Sequence, residues 1–534
     1  MPQPTRILTS SIALAGVSVC SLAPAARAGV VPTCTPVWAQ LNPATSPSPR
    51  FSPAMATNGN DVVMFGGLGQ GGITGDLWRW DGTNWSLITS NSALARSNAA
   101  AITLIPPGGG LPTLLIYGGV NPAFLPLRDL LTWSPATGLI TLTADMGIGA
   151  RFNHSWCGAI DQNFHNLLIG GGDCGGTFAT GTRVTLGGNI AVPPPDSPAN
   201  FYRRSNHASA WDSVRGRAVV IGGNIAANPC FSPTYDQTVR TWSPVDGWDS
   251  LPGVPGFLTS NHVAAFSPQD AMVVFGGETQ AYPLPNGLLN TTWISRDGGA
   301  FWEPLLTGLT PSARRAFNNM AWVPAADHFV MFGGHNGGLT NGGFLGDTWV
   351  LSFRPVVLTA PVSLAACPTQ TAIFTTEMAL PTPSTATWSF RWIDVSTGFD
   401  SGWIDPPEAQ NCGVPFNLVI NGRQVALVEN VCEESMRVRR LADFAIADRL
   451  LVRRTATSPC SGAVVIGAEA EYTLLPDLNN DFNVNTADLI TFLGQFGQTG
   501  PTTGPYNPGD FNGDGSVNTA DLIFFLGRFG RSCD

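Results

Sequence analysis

Short apolar runs that end in a glycine doublet recur at nearly even spacing in the first two thirds of the chain. The first glycines of these doublets are Gly66, Gly118, Gly170, Gly222, Gly276 and Gly333. Such runs are typical of buried β-strands, and further strand-like segments follow most doublets, often with an aromatic residue such as Trp85, Trp248 or Trp302. Each repeat therefore predicts four short strands, which must pack against neighbouring repeats to bury their apolar faces.

The two ends of the repeat region complement each other. The sixth repeat stops after the apolar segment at residues 349–351, where a fourth strand is missing. Residues 37–41, Val-Trp-Ala-Gln-Leu, have the pattern of that missing strand. Pairing the first segment with the last would close the array without a free sheet edge.

With its glycine doublets and spaced aromatic residues, the array resembles the kelch repeat. The resemblance implies a six-bladed β-propeller over residues 29–354. Within the fifth repeat, Ser295-x-Asp297-x-Gly299-x-x-Trp302 resembles the Asp box of sialidase-type propellers. We interpret this motif structurally, as a turn closed by side-chain hydrogen bonds next to a packed tryptophan.

An arginine precedes most of the glycine doublets at a nearly constant distance. These arginines are Arg50, Arg96, Arg151, Arg204 and Arg315. In a propeller they would start the innermost strands on the face that carries the long loops, where guanidinium groups could hold a carboxylate or sulfate. The structural alternative is that each arginine bonds carbonyls of its own repeat, and the sequence leaves both open.

The sequence assigns no catalytic residues. His154, His207 and His262 occupy equivalent repeat positions, which indicates packing. Copper-radical oxidases share kelch-like propellers but need tyrosine and histidine ligands near the axis. The tyrosines of this region are Tyr117, Tyr202, Tyr235 and Tyr282. There is no Gly-x-Ser-x-Gly motif and no phosphate loop. A propeller that binds a polysaccharide or protein ligand is favoured, and the alternative is a carbohydrate-active enzyme such as a glycoside hydrolase, lyase or oxidase.

Residues 355–475 continue as strands without the repeat. Alternation in 388–392, and strand-like segments at 449–457 and 469–474, predict a small β-sandwich. The order Cys367, Trp388 or Trp392, Cys460 loosely resembles an immunoglobulin-like module, which implies a Cys367–Cys460 disulfide. We expect a structural spacer, with carbohydrate binding through Trp388, Trp392 or Trp403 as the alternative.

Two acidic loops of matching pattern lie near the carboxyl end. Oxygen-bearing side chains occupy positions 1, 3, 5, 9 and 12 of each loop, and position 7 would offer a backbone carbonyl. The predicted ligands are Asp477, Asn479, Asp481, Asn483, Asn485 and Asp488 in the first loop, and Asp510, Asn512, Asp514, Ser516, Asn518 and Asp521 in the second. Such a set suits calcium, so we expect two calcium sites. Position 6 is Gly515 in the second loop but Phe482 in the first, which predicts a weaker first site.

This duplicate resembles type I dockerin repeats, with EF-hand-like loops that run into short helices, and it covers residues 476–534. The resemblance implies docking to a cohesin-like domain or cell-surface scaffold through residues near each loop. The near-identical helix starts give the docking candidates Thr486, Ala487, Leu489, Thr519, Ala520 and Leu522. Family members often belong to extracellular polysaccharide-degrading assemblies.

Composition and the first residues indicate export. Residues 1–28 have a positive start, an apolar run and an Ala-Arg-Ala site, which is typical of a signal peptide and predicts a secreted or extracellular protein, with surface attachment as an option. No later segment is apolar enough to span a membrane. The net charge is −10 and the chain has no lysine, which argues against nucleic-acid binding.

Nine cysteines follow the predicted cleavage site, and export makes disulfides plausible. The first pairs to consider are Cys157 with Cys174 and Cys412 with Cys432. The odd number leaves one thiol over. Cys533, near the end, would pair inside its own module or with a surface partner.

Overall fold

The structure, a computed structural model, describes most of residues 35–533. Short stretches between them are not described, namely 106–110, 136–137, 144–146, 161–165, 174–175, 178–180, 186–187, 193–203, 227–233, 255–258, 280–286, 338–342, 383, 407–413, 431–433, 442, 458–463 and 502–506. The predicted signal peptide lies outside the described residues. Those residues form a mainly β structure with two α-helices, as the sequence predicts for the fold class. Within them, no helix has the length and apolar character needed to cross a membrane.

Twenty-eight strands and one short 3₁₀ helix (Ser92–Leu94) make up the described part of the repeat region. The strands are β1 (Val37–Leu41), β2 (Ala54–Asn58), β3 (Asp61–Phe65), β4 (Leu68–Gly69), β5 (Gly72–Ile73), β6 (Asp76–Trp80), β7 (Trp85–Ser90), β8 (Ala100–Leu104), β9 (Thr113–Tyr117), β10 (Leu130–Ser134), β11 (Gly138–Thr143), β12 (Ser155–Ile160), β13 (Asn166–Ile169), β14 (Gly172–Asp173), β15 (Gly176–Thr177), β16 (Gly181–Thr185), β17 (Gly188–Val192), β18 (Ala208–Asp212), β19 (Arg217–Ile221), β20 (Val239–Ser243), β21 (Gly247–Leu251), β22 (Val263–Ser267), β23 (Ala271–Phe275), β24 (Thr292–Ser295), β25 (Glu303–Pro304), β26 (Met320–Val323), β27 (His328–His335) and β28 (Phe344–Ser352).

These strands form six antiparallel four-stranded units, which we number sheets 1 to 6 in chain order. Their strand orders are β2-β3-β6-β7, β8-β9-β10-β11, β12-β13-β16-β17, β18-β19-β20-β21, β22-β23-β24-β25 and β26-β27-β28-β1. A short parallel contact between β8 and β12 joins sheets 2 and 3. The predicted closure is confirmed, because β1 pairs with β28 along its whole length, from Val37 opposite Ser352 to Leu41 opposite Thr348.

The glycine doublets link each sheet to the next. The second glycine of every doublet donates its N–H to a backbone carbonyl at the start of the following repeat, at 2.8–3.0 Å. The pairs are Gly67–Arg96, Gly119–Arg151, Gly171–Arg204, Gly223–Thr259, Gly277–Arg314 and Gly334–Arg50. The first glycine must also stay small: a Cβ on Gly66 would lie 2.2 Å from the Arg96 carbonyl oxygen. Since the last pair returns to Arg50, the six sheets are linked in a closed cycle, and their first strands contact one another in the same order.

The Asp-box motif forms a turn in sheet 5. The Ser295 hydroxyl donates to Asp297 at 2.8 Å, and Asp297 accepts backbone N–H groups from residues 300 and 301. The buried Trp302 donates its indole N–H to the Gly299 carbonyl at 3.0 Å. The side chains of Ser295, Asp297 and Trp302 thus all bond within the turn, which agrees with the structural interpretation.

Residues 355–475 contribute twelve strands. These are β29 (Val356–Thr359), β30 (Leu364–Ala366), β31 (Thr371–Thr375), β32 (Glu377–Ala379), β33 (Thr385–Asp394), β34 (Phe399–Asp400), β35 (Phe416–Ile420), β36 (Arg423–Glu429), β37 (Ser435–Arg440), β38 (Arg449–Thr457), β39 (Val464–Ile466) and β40 (Ala470–Leu474). One sheet has the order β30-β40-β38-β33-β34, with β39 paired to β38, and a second has the order β31-β37-β36-β35. The two sheets share one hydrophobic core, which includes Trp388, Phe390 and Trp392.

The two helices are α1 (Thr486–Leu493) and α2 (Thr519–Leu526). Phe492 of α1 stacks on Phe511 and on Phe525 of α2, with ring centroids 5.4 and 6.0 Å apart. These rings belong to the same core cluster as the two sheets before them. The helical segment therefore packs directly on the preceding β structure, and Ala447 donates its backbone N–H to the Phe511 carbonyl at 2.7 Å across that contact.

The disulfide predictions need correction. Cys367 is bonded to Cys533 rather than to Cys460, so the bridge joins the middle β structure to the last turn of the chain. Cys157 is a buried free thiol, so a bond to Cys174 is also wrong. The proposed Cys412–Cys432 pair lies outside the described residues. Cys533 pairs neither inside its own module nor with a surface partner, because its partner Cys367 lies in the neighbouring β segment.

Candidate metal centre

Both acidic loops end in a capped helix, which fixes the positions of their last ligands. Asn485 caps α1, its side-chain oxygen accepting the Ala487 N–H at 2.7 Å, and Asn518 caps α2 in the same way through Ala520. A reciprocal bond from each cap backbone reaches Asp488 or Asp521 one turn later. Such capping boxes satisfy the exposed N–H groups of a helix start. Loop positions 9 and 12 are thus held by local helix formation.

The same hydrogen bonds recur in the two loops. In the first loop, Asp488 accepts the Asn479 N–H at 3.1 Å and Asp477 accepts the Phe482 N–H at 3.0 Å. In the second loop, the equivalent bonds are Asn512 to Asp521 at 3.2 Å and Gly515 to Asp510 at 2.9 Å. The sequence duplication is therefore also a duplication of geometry.

Three carboxylates converge in the first loop. One oxygen each of Asp477, Asp481 and Asp488 lies within 4.8 Å of the others, and Asp477 and Asp488 are buried. Burial raises the pKa of Asp477, and the nearby Asp488 raises it further. In the second loop, burial likewise raises the pKa of Asp510, with Asp521 adding to it. Hard oxygen ligands crowded together in this way fit a divalent cation such as calcium, which would offset their mutual repulsion.

The backbone at loop position 6 explains the difference between the loops. Gly515 has φ +88° and Phe482 has φ +68°, so both loops need the left-handed conformation there. Glycine adopts it without cost, whereas a bulky side chain at positive φ is strained. The position that the sequence marks as anomalous is therefore a site of backbone strain in the first loop.

The docking candidates divide into two groups. Thr486, Ala487, Thr519 and Ala520 are exposed at the helix starts, but Leu489 and Leu522 are half-buried against the shared core. The structure instead exposes three apolar pairs at equivalent positions of the two copies, which sequence reasoning missed: Ile490 with Ile523, Leu493 with Leu526, and Phe496 with Phe529. Apolar residues on both faces of each short helix could have indicated a second contact surface.

Four of the five candidate arginines are engaged inside the sheets. Arg50, Arg96, Arg151 and Arg204 are buried, and each donates to the carbonyl of the first glycine of its own repeat. Three of them also pair with a carboxylate at the start of the third strand, namely Asp76, Asp129 and Asp236. Burial raises the pKa of Asp76, but hydrogen bonds from Arg50 and its charge outweigh burial and lower that pKa to about 2. These contacts are those of the structural alternative, in which each arginine bonds a carbonyl of its own repeat.

The fifth candidate, Arg315, lies one residue after the structurally equivalent arginine. Arg314, and not Arg315, is the buried equivalent, because it bonds the Gly333 carbonyl at 2.9 Å and pairs with Asp347 at 2.7 Å. Arg315 keeps 22% of its side chain exposed and lies 3.8 Å from Glu278. Two consecutive arginines made the register ambiguous in sequence.

The histidines that the sequence assigns to packing are buried. His154, His207 and His262 each stand directly before the first strand of their sheet and have no exposed surface. The His262 Nε2 lies 3.1 Å from the Ile221 carbonyl, and the Thr259 hydroxyl contacts Nδ1 at 3.2 Å. Burial lowers the pKa of His262 to about 4. Tyr117 donates its hydroxyl to the Gly149 carbonyl at 2.9 Å, whereas Tyr202 and Tyr282 lie outside the described residues.

We compared the chain with protein-family models and with solved structures. No protein-family model matches the chain. The solved structure titled "Structure of YjhT" aligns with 58% of this chain and 97% of its own, at 14% sequence identity and a TM-score of 0.43. No family assignment follows from these comparisons.

Proposed function

We propose that this protein is a secreted, calcium-binding docking protein that carries a ligand-binding propeller. The observation that carries the proposal is the duplicated acidic loop, in which the same hydrogen bonds recur in both copies and three carboxylates converge in the first. Calcium would hold each loop closed and so shape the helix surface that meets the partner.

The repeat region supports a six-bladed kelch-type propeller as the carried part. Six four-stranded units, their closed cycle of glycine N–H bonds and the pairing of β1 with β28 all agree with that architecture. We divide the chain at residues 354 and 475, with the last two parts sharing one core and one disulfide. Experiments on the carboxyl-terminal part therefore use the full chain.

The calcium sites would use the predicted ligands. Side-chain oxygens at positions 1, 3, 5 and 12 and the position 7 carbonyl would hold each ion, while position 9 would act through water. A bound divalent ion supplies charge neutralisation and rigidity here. The strained Phe482 turn would make the first site the weaker one.

Docking to a cohesin-like partner would use the exposed side of the two helices. The apolar pairs Ile490/Ile523 and Leu493/Leu526 flank the exposed Thr486, Ala487, Thr519 and Ala520. Exposed apolar side chains on one face are typical of protein-binding surfaces. The predicted export and the dockerin resemblance favour a role in extracellular polysaccharide degradation or surface assembly.

Calcium titration of the full chain by calorimetry tests the proposal. We expect two sites in the wild type, loss of the first in Asp477→Asn, loss of the second in Asp510→Asn, and no change in the control Asp61→Asn, whose carboxylate lies in the repeat region. Binding of purified cohesin domains should then require calcium and should weaken in Ile490→Asp and Ile523→Asp. Absence of calcium binding by the folded wild-type chain would refute the proposal.

A further inference from the structure

Glu278, Arg315 and His335 lie close together between sheets 5 and 6. In five of the repeats, the residue after the glycine doublet forms an isolated backbone β-bridge with the residue that follows the buried arginine, or that follows Thr259 in the fifth repeat. These bridges are Leu68 with Phe51, Val120 with Ser97, Asn224 with Ser205, Glu278 with Ser260, and His335 with Arg315. The first three of these pairs are uncharged. Sheets 5 and 6 instead bring a carboxylate, a guanidinium and an imidazole together.

Glu278 is buried, and one of its two carboxylate oxygens accepts no hydrogen bond. Its Oε1 accepts from the Asn261 amide at 2.7 Å and from the Tyr235 hydroxyl at 3.4 Å, while Arg315 Nε lies 3.8 Å from Oε2. The residue is 8% exposed, and among the described residues no hydrogen-bond donor reaches Oε2. Buried carboxylate oxygens nearly always have a donor, so an exception needs an explanation.

Arg315 is held in place by its neighbours. Its Nη2 lies 2.8 Å from His335 Nδ1, which also accepts the Gly337 N–H at 3.1 Å. Since both neighbours offer N–H groups, Nδ1 is the acceptor of this ring. The Phe51 ring flanks both side chains, at 5.6 Å from the guanidinium and 6.2 Å from the imidazole. This packing presents a fixed cation beside the unfilled acceptor.

The opposed charges select the kind of ligand. A negatively charged ligand would meet Glu278, and a positively charged one would meet Arg315, at nearly the same point. A neutral ligand with several hydroxyl groups satisfies both, since one O–H donates to the carboxylate and another oxygen accepts from the guanidinium. Burial also raises the pKa of Glu278, although Arg315, Asn261 and Tyr235 each lower it.

We propose that Glu278 and Arg315 form a binding site for a neutral sugar, as a free saccharide or as a residue of a polysaccharide chain. The inference rests on the proposed role of the propeller as the ligand-binding part. It assigns that role to one location, where Tyr235, Asn261 and His335 position the two charged groups.

Calorimetry and ligand-observed NMR on the full chain test this site. The probes are glucose, galactose, xylose, cellobiose and xylobiose, with glucuronate and glucosamine as charged comparisons. We expect at least one neutral probe to bind more tightly than both charged ones. Glu278→Gln and Arg315→Gln should each weaken that binding at least tenfold. The matched control Glu303→Gln, an exposed position on the outer strand of the same sheet, should leave it unchanged.

The outcomes separate this inference from the proposed function. Thermal unfolding and calcium titration of each variant show whether it is folded, and Tyr235→Phe offers a milder second variant. If no neutral probe binds while calcium does, the sugar site is wrong and the docking function stands. If a probe binds equally to wild type, Glu278→Gln and Arg315→Gln, the propeller binds sugar elsewhere and the assignment is wrong.

Discussion

At the scale of single residues, Arg314 and Arg315 show how neighbours in sequence differ in role. Arg314 is fully buried, holds Asp347 with two hydrogen bonds and reaches the Gly333 carbonyl. Arg315 is partly exposed and faces Glu278. Removing one member of a buried ion pair leaves the other without compensation and costs about 3–5 kcal/mol.

We therefore expect Arg314→Gln to lower the melting temperature of the repeat region by at least about 5 °C. Arg315→Gln should lower it by less than Arg314→Gln does, because Arg315 is partly exposed and its Nε lies 3.8 Å from Glu278, beyond hydrogen-bond distance. Differential scanning calorimetry of both variants measures the contrast. Equal melting temperatures for the two variants would contradict the assignment of Arg314 as the structural arginine.

Phe482 gives a second prediction at the residue scale, which concerns the calcium affinity of the first loop. Its left-handed backbone costs about 1–3 kcal/mol for a non-glycine residue, and its side chain is half exposed, so little packing is lost on removal. Phe482→Gly should tighten calcium binding at the first loop about fivefold or more. The reverse change, Gly515→Ala, should weaken the second loop, and calorimetric titration resolves both. An unchanged first site in Phe482→Gly would show that this turn does not limit affinity.

At the scale of elements, the repeat pattern predicted the strands and their closure correctly, whereas the roles assigned to individual side chains were less accurate. The glycine doublets indicated the strands, because each doublet is constrained by a carbonyl of the next repeat. The missing fourth strand of the sixth repeat indicated the closure through β1. The arginine register failed at Arg315, since two adjacent arginines carry the same local pattern. The inward orientation of Leu489 and Leu522 depends on a core supplied by another segment, which periodicity in so short a helix does not reveal.

The buried histidines at the strand starts predict acid sensitivity of the repeat region. Burial lowers the pKa of His262 to about 4 and that of His328 to about 3, and holds those of His154 and His207 well below 6.5. An unfolded chain takes up these protons first, near pH 6.5, so stability present above that pH is lost as the pH falls towards 4.

Melting temperatures measured from pH 7.5 to 4.5 should therefore fall steadily for the wild type. His262→Gln should reduce the slope, because one of these groups no longer titrates. Paired carboxylates such as Asp76, with its pKa near 2, lose their contribution only below this window. The same pH dependence in His262→Gln as in the wild type would show that His262 is not held neutral.

At the scale of the whole molecule, the carboxyl-terminal segment with the two acidic loops is joined to the middle β structure. Phe492, Phe511 and Phe525 share a core with Trp392, and the Cys367–Cys533 bond fixes the chain end to that core. Sequence reasoning could not give this pairing, because the two cysteines lie 166 residues apart and several others were available. A docked partner would thus connect rigidly to the β structure.

The disulfide also holds the chain end against the first acidic loop. Cys533 donates its backbone N–H to the Phe482 carbonyl at 3.0 Å, and Gly530 and Arg531 bond Val484 on either side. A covalent bond closing so long a loop stabilises the folded state by about 4–5 kcal/mol in the chain-entropy description. We expect Cys533→Ser to weaken calcium binding at the first loop more than at the second, and to make the helices sensitive to chelation.

Circular dichroism at 222 nm and calcium titration, each with and without chelator, measure these effects. Cys157→Ala is the matched control, since it removes a buried free thiol from the repeat region and leaves the disulfide intact. In wild type and control, the disulfide should keep the helices packed on the shared core after chelation. In Cys533→Ser, the metal is the remaining constraint on the first loop, so the helical signal should fall when calcium is removed. A Cys533→Ser chain that keeps both its helical signal in chelator and its first-loop affinity would show that core packing alone holds this end of the molecule.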